Sequence, residues 1–137
     1  AKILDLLESL RKIYGMALVL ISHDLSIILE RCDKIIVMYA GQMVEYASSI
    51  EMHKSPRHPY TQGLLHSIPN IEISDQKLTA IPGSPPNMLN PPEGCPFWPR
   101  CTHAKKMCQA KDAPLIDVGH GHFVRCFLYG GEGANSE

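Results

Sequence analysis

Gly15-Met16-Ala17-Leu18-Val19-Leu20-Ile21-Ser22-His23-Asp24 sets six apolar residues in an unbroken run between a glycine and a polar triplet. A run of that length without alternation predicts a strand buried on both faces, as in a parallel sheet. Before it, Ile3, Leu6, Leu7, Leu10 and Ile13 recur at helical spacing, with Lys2, Asp5, Glu8, Arg11 and Lys12 opposite. That pattern predicts an amphipathic helix that Gly15 is placed to end. After it, Leu25, Ile28 and Leu29 share a helical face, and Ile35-Ile36-Val37-Met38 is an apolar, mostly β-branched run. Ala40-Gly41-Gln42 reads as a turn and Met43-Val44-Glu45-Tyr46 as the return strand of a hairpin. Helix, buried strand, helix, strand is the order of an α/β fold.

Beyond Tyr46 the character changes. Ser48 and Glu51 have the spacing of a capping box, which predicts a short helix that Pro56 stops. Pro59 suits the first turn of a further helix over 60–67, closed by Pro69. Between Ile81 and Pro99 the prolines Pro82, Pro85, Pro86, Pro91, Pro92, Pro96 and Pro99 leave little room for regular structure. The Gly-rich polar tail, 130–137, is expected to be loose.

The 137 residues are 45% apolar, enough for one modest core with room for a smaller appendage. The net charge of −1 and the absence of any long basic run exclude an electrostatic grip on nucleic acid. No segment has the apolar length of a membrane span, and no signal-peptide pattern opens the sequence. The sequence starts on Ala1 inside a helical pattern, so it reads as a fragment.

Two groups of residues carry chemistry. Ser22-His23-Asp24 follows the apolar run, and ligands of open α/β sheets bind beyond the carboxyl ends of strands. His23 could meet a phosphate oxygen or an attacking water there; the plainer alternative is a histidine at a strand–helix junction that caps the helix beside Asp24. The second group is Cys95, Cys101, Cys108 and Cys126, with five, six and seventeen residues between them. Thiolates are soft ligands for iron–sulfur clusters, zinc or copper(I). Structural zinc usually takes pairs two to four residues apart, whereas four thiolates on separate loops suit a 2Fe–2S or 4Fe–4S centre. Metal-free thiols stay open as a third reading, and His103, His120 or His122 could replace a cysteine around zinc. Cys32 reads as a small buried apolar residue, and His58 and Tyr60 as helix-start and packing residues.

Leu18-Val19-Leu20-Ile21-Ser22-His23-Asp24-Leu25, followed by Cys32-Asp33-Lys34-Ile35-Ile36-Val37-Met38-Tyr39-Ala40-Gly41-Gln42, resembles the switch-histidine region of ABC-type ATPases. Pro56-Arg57-His58-Pro59-Tyr60-Thr61, Ile81-Pro82-Gly83 and Gly94-Cys95-Pro96-Phe97-Trp98-Pro99-Arg100-Cys101 are similar to the C-terminal extension of the dipeptide and oligopeptide importer branch. The resemblance implies an α/β fold: 1–50 as the C-terminal part of an ABC ATPase domain and 51–70 as a helical connector. It further implies a small, loop-rich, cysteine-containing extension over 71–129. His23 would contact the ATP γ-phosphate, and Cys95, Cys101, Cys108 and Cys126 would hold a 4Fe–4S cluster, with zinc as the alternative.

The phosphate loop G-x-x-x-x-G-K-[ST] is absent from these residues. The resemblance places that loop, the signature motif and the acidic residues for magnesium upstream of Ala1. ATP with magnesium would therefore bind mainly elsewhere, and this chain is expected not to hydrolyse ATP alone. The implied partners are a second ATPase subunit, two membrane permeases and, indirectly, a peptide-binding protein. The implied location is peripheral, on the cytoplasmic face of the bacterial inner membrane. The rival reading is a cysteine-rich metal-binding regulatory or interaction module with no part in hydrolysis.

Overall fold

The computed structural model describes residues 2–68 and 80–130. Helix α1, Lys2–Tyr14, ends at Gly15, whose φ of +62° is a conformation glycine adopts without penalty. Arg31 of helix α2, Leu25–Arg31, donates to Asp5 at 2.9 Å and Glu8 at 3.2 Å on α1, and Arg11 meets Asp33 at 3.4 Å. These pairs are solvent-screened, so they orient the two helices more than they stabilise them.

The strand expected over Met16–Ile21 is not formed: the segment carries no regular structure, with Val19 85% and Ile21 92% exposed. Only Leu20 reaches the core. A strand exists through its neighbours' backbone groups, and among the described residues none runs beside this segment. The sheet is not parallel either. Strands β1, Lys34–Tyr39, and β2, Gln42–Ser48, form the expected antiparallel hairpin. Its two-residue loop, Ala40-Gly41, has φ of +48° and +76°, the paired positive values that match the twist of the flanking strands.

Helix α3, Ser49–Lys54, starts where Ser48 Oγ accepts the Glu51 N–H at 3.2 Å. Helix α4, Pro59–His66, has Pro59 in its first turn as expected. Pro69 and most of the tail lie outside the described residues. The proline-dense stretch carries no helix or strand beyond a 3-10 turn at Trp98–Arg100. Helix α5, Lys106–Ala110, follows, and two short strands come last: β3, Leu115–Asp117, and β4, Phe123–Arg125. They complete an antiparallel sheet in the order β1-β2-β4-β3, with Glu45 opposite Val124 and Tyr46 opposite Phe123. No helix among the described residues is long and apolar enough to cross a membrane.

One core spans the sequence. β1 alternates strictly, turning Ile35, Val37 and Tyr39 inward, where they meet Ile28, Val44, Ala47, Met52 and Phe97. Burying a side chain the size of Phe97 is worth roughly 1.5–3 kcal/mol, so this one residue is a substantial anchor for the loops after 80. Its ring stands edge-on to Tyr39 at 5.1 Å and tilted to Tyr60 at 5.4 Å. Arg100 fixes the neighbouring loop by donating to the carbonyls of Pro82 at 2.8 Å and Ile81 at 3.2 Å and to the Tyr39 hydroxyl at 3.3 Å.

Candidate functional site

Cys95, Cys101, Cys108 and Cys126 come from four different places: the loop before the 3-10 turn, the residue after it, the middle of α5 and the end of β4. All four are half-buried, unbridged, and line one pocket of about 390 Å³, its open mouth included. Gly94 makes this possible. Its φ is +72°, and a Cβ there would stand 2.4 Å from the Cys108 carbonyl oxygen, to which the Cys95 N–H donates at 2.9 Å. Only a residue without a side chain lets the first cysteine loop lie so close to α5.

Backbone N–H groups face each sulfur. Lys105 donates to Cys108 Sγ at 3.4 Å, Phe97 and Trp98 face Cys95, His103 faces Cys101 and Leu128 faces Cys126. Burial nonetheless raises the thiols of Cys95 and Cys101 above the ordinary range and pushes Cys126 up to about 11. The neighbouring cysteines add to the rise, a mutual repulsion that only groups close together feel. A low-dielectric pocket of four sulfurs, each met by a backbone donor, is suited to thiolates that share their charge with bound metal. Among the described residues no three His, Cys, Asp or Glu side chains converge on a single point fit for one metal ion; the sulfurs line a common wall. Cys32 stands apart, packed against the core but only half-buried, where the sequence reading had it buried.

The histidines proposed as substitute ligands divide. His103 is exposed on the pocket rim, His120 is exposed at a turn with φ of +57°, and His122 is committed elsewhere. His122 Nε2 lies 2.7 Å from Glu45 Oε1, and both side chains are buried. The same carboxylate accepts the Arg57 N–H at 2.6 Å and the His58 N–H at 2.9 Å. Glu45 thus joins the hairpin, the start of α4 and the β3–β4 turn in one buried group. The sequence carried no local signal for it, since its partners lie 12, 13 and 77 residues away.

His58, read from sequence as a helix-start residue, is that and more. Its Nδ1 accepts the Tyr60 N–H at 3.1 Å, capping α4, while its ring, 1% exposed, forms part of the cysteine pocket. Burial pushes its imidazole down to about 4, against the pull of Glu45.

His23 stands away from this pocket, exposed in the segment before α2. Asp24 beside it is the helix cap: its Oδ1 accepts the N–H groups of Ser26 at 3.0 Å and Ile27 at 3.4 Å. Ser22 Oγ in turn accepts the Asp24 N–H at 3.0 Å. The triplet therefore sits at a helix start whose cap is Asp24 and not His23, and not at the end of a paired strand.

Residues 44–108 match the family described as the oligopeptide/dipeptide transporter, C-terminal region. The chain is 40% identical over 127 residues to the oligopeptide transport ATP-binding protein OppD of Escherichia coli, covering 93% of the chain and 37% of that protein. It is 40% identical over 129 residues to the dipeptide transport ATP-binding protein DppD of Caldanaerobacter subterraneus, covering 94% and 40%. The oligopeptide transport ATP-binding protein AppD of Bacillus subtilis is 45% identical over 134 residues, covering 98% and 41%. The chain spans about two fifths of the length of these relatives. A metal-binding module with no link to an ATPase gains no support from them.

Proposed function

We propose that the chain is part of the ATP-hydrolysing subunit of a peptide ABC importer, on the footing that residues 44–108 match the oligopeptide/dipeptide transporter C-terminal region family. The observation that carries this reading is the 40–45% identity, over 93–98% of the chain, to ATP-binding proteins of oligopeptide and dipeptide transport. In this reading two such subunits close on ATP and magnesium, which are held mainly by parts of the protein outside these residues. Their closure and opening drive two membrane permeases supplied by a peptide-binding protein. The subunit works at the cytoplasmic face of the membrane without entering it.

His23 stands near the γ-phosphate in this account. Phosphoryl transfer gathers charge on the equatorial oxygens, and a positioned imidazole N–H stabilises it or holds the attacking water. The exposure of His23 leaves its ring free to meet a nucleotide, and the Asp24 cap fixes the backbone that carries it. His23→Ala in the full-length subunit is expected to cut ATP hydrolysis strongly while ATP binding persists. Wild-type turnover in that variant would remove the assigned role.

Cys95, Cys101, Cys108 and Cys126 would hold the second group, a 4Fe–4S cluster. The donor set fits: four sulfurs around one pocket, on separate loops, each facing a backbone N–H. A cluster takes each thiolate on a different iron, which suits sulfurs spread along a wall, whereas zinc needs four donors around one ion. When bound, the cluster supplies cross-links between loops that have little core of their own.

A further inference from the structure

The polar side chains on the wall of the cysteine pocket, other than the cysteines, are His58, His103 and Lys105, and of these only His58 is buried. Its conformation is fixed from three sides. Glu45 holds its backbone N–H, Phe97 packs on its ring at 5.7 Å between centroids, and Tyr60 donates its N–H to Nδ1. Because Nδ1 accepts, it carries the lone pair, and the proton of the neutral ring must sit on Nε2. Among the described residues no protein group accepts from Nε2. Nε2 is not among the fully buried atoms left unpaired, which are Gln42 Oε1, Arg57 Nε and Thr61 Oγ1, so it keeps contact with open space, and the open space that His58 borders is this pocket. Apart from the exposed His103 and Lys105, the rest of that pocket is lined by the four cysteines and mostly apolar side chains.

We propose that His58 is a positioning residue of the cysteine centre, its Nε2–H donating a hydrogen bond to sulfur of the cluster held by Cys95, Cys101, Cys108 and Cys126. The inference rests on the cluster reading of the previous subsection. Its consequence is electrochemical. A hydrogen bond to sulfur favours the more negative, reduced state, so His58 raises the reduction potential of the centre. It also links the two parts of the molecule, because the residue that starts α4 and is bonded to the β2 carboxylate is the one that touches the centre.

The test is His58→Asn in the full-length, anaerobically purified subunit. Asparagine places an oxygen where Nδ1 stands and is among the best helix caps, so the Tyr60 N–H stays satisfied while the Nε2–H is lost. The expected result is iron and sulfide content equal to wild type, with the reduction equilibrium shifted about tenfold toward the oxidised form. For a one-electron couple that is a potential lower by about 59 mV. Equal iron and equal potential in the two proteins would overturn the inference alone. Absence of iron and sulfide from the wild type would overturn the cluster reading and the inference with it. If the Asn variant does not hold its cluster, the wild type decides. With histidine labelled by 15N in the ring and His103 changed to Ala, the reduced cluster should show weak coupling to a ring nitrogen. Absence of that coupling would overturn the proposal.

Discussion

Removing the Glu45 carboxylate should be among the most damaging single changes this chain can suffer. The side chain is fully buried, accepts the N–H groups of Arg57 and His58, and shares a hydrogen bond with the His122 ring. In Glu45→Ala all three lose their partner at once. An orphaned buried donor costs about 1–3 kcal/mol, so the two backbone N–H groups and the lost His122 contact together put the expected loss at about 4 kcal/mol. That is a large part of the ~5–15 kcal/mol that holds a typical domain together, and it should lower the melting temperature by about 10 °C or more. Glu45→Gln should fall between the two. Its oxygen still serves one side, but its amide N–H₂ faces a donor on the other, for a loss of about 1–3 kcal/mol. Thermal and urea unfolding of the parent, Glu45→Gln, Glu45→Ala, His122→Ala and the Ala/Ala double variant would measure these values. The double variant should cost less than the sum of its parts, because Glu45 and His122 share a bond. A Glu45→Ala variant within about 1 kcal/mol of the parent would refute the reasoning.

Two further outcomes follow from single contacts. Gly94→Ala should separate the Cys95 loop from α5, since its methyl would meet the Cys108 carbonyl at 2.4 Å and its φ of +72° is unfavourable with a side chain; metal content should drop although no cysteine has changed. Unchanged metal content would show that the close approach is dispensable. The Asp24 carboxyl is held below its ordinary value by the Ser26 hydroxyl and the Ile27 and Ser26 N–H groups. Its folded value is therefore the lower one, so the cap stabilises α2 above the unfolded value and fades as pH falls through the folded one. Protection of the Ser26 and Ile27 amides, corrected for their intrinsic exchange rates, should fall as pH drops through the folded value of Asp24 and stay unchanged in an Asp24→Asn control, and parallel behaviour of the two would contradict the assignment.

The elements legible in the sequence were those whose cause is local. Asp24, Ser48 and Pro59 each sit at the start of a helix and act within three residues of it. The Ala40-Gly41 loop similarly fixes the β1–β2 hairpin from inside. Met16–Ile21 was misread because an apolar run records only that a segment can be buried; whether it becomes a strand depends on a neighbour, and none is present among the described residues. β3 and β4 were passed over for the opposite reason. They are three residues each, yet Ile116-Asp117-Val118 and His122-Phe123-Val124 around Gly119-His120-Gly121 form a hairpin pattern that was there to be read. The four cysteines were legible as a set, and the structure brings them to one pocket. What no local pattern could disclose was Glu45, a charged residue in the middle of a strand that reads as an alternation error until His122 is seen beside it.

Iron, zinc and acid-labile sulfide, measured together on anaerobically purified protein and on its Cys101→Ser variant, test the account of the cysteine pocket most directly. The account predicts iron with matching sulfide and a broad brown absorbance in the parent, both lost in the variant. Zinc without sulfide, or four titratable thiols with neither metal, would contradict it.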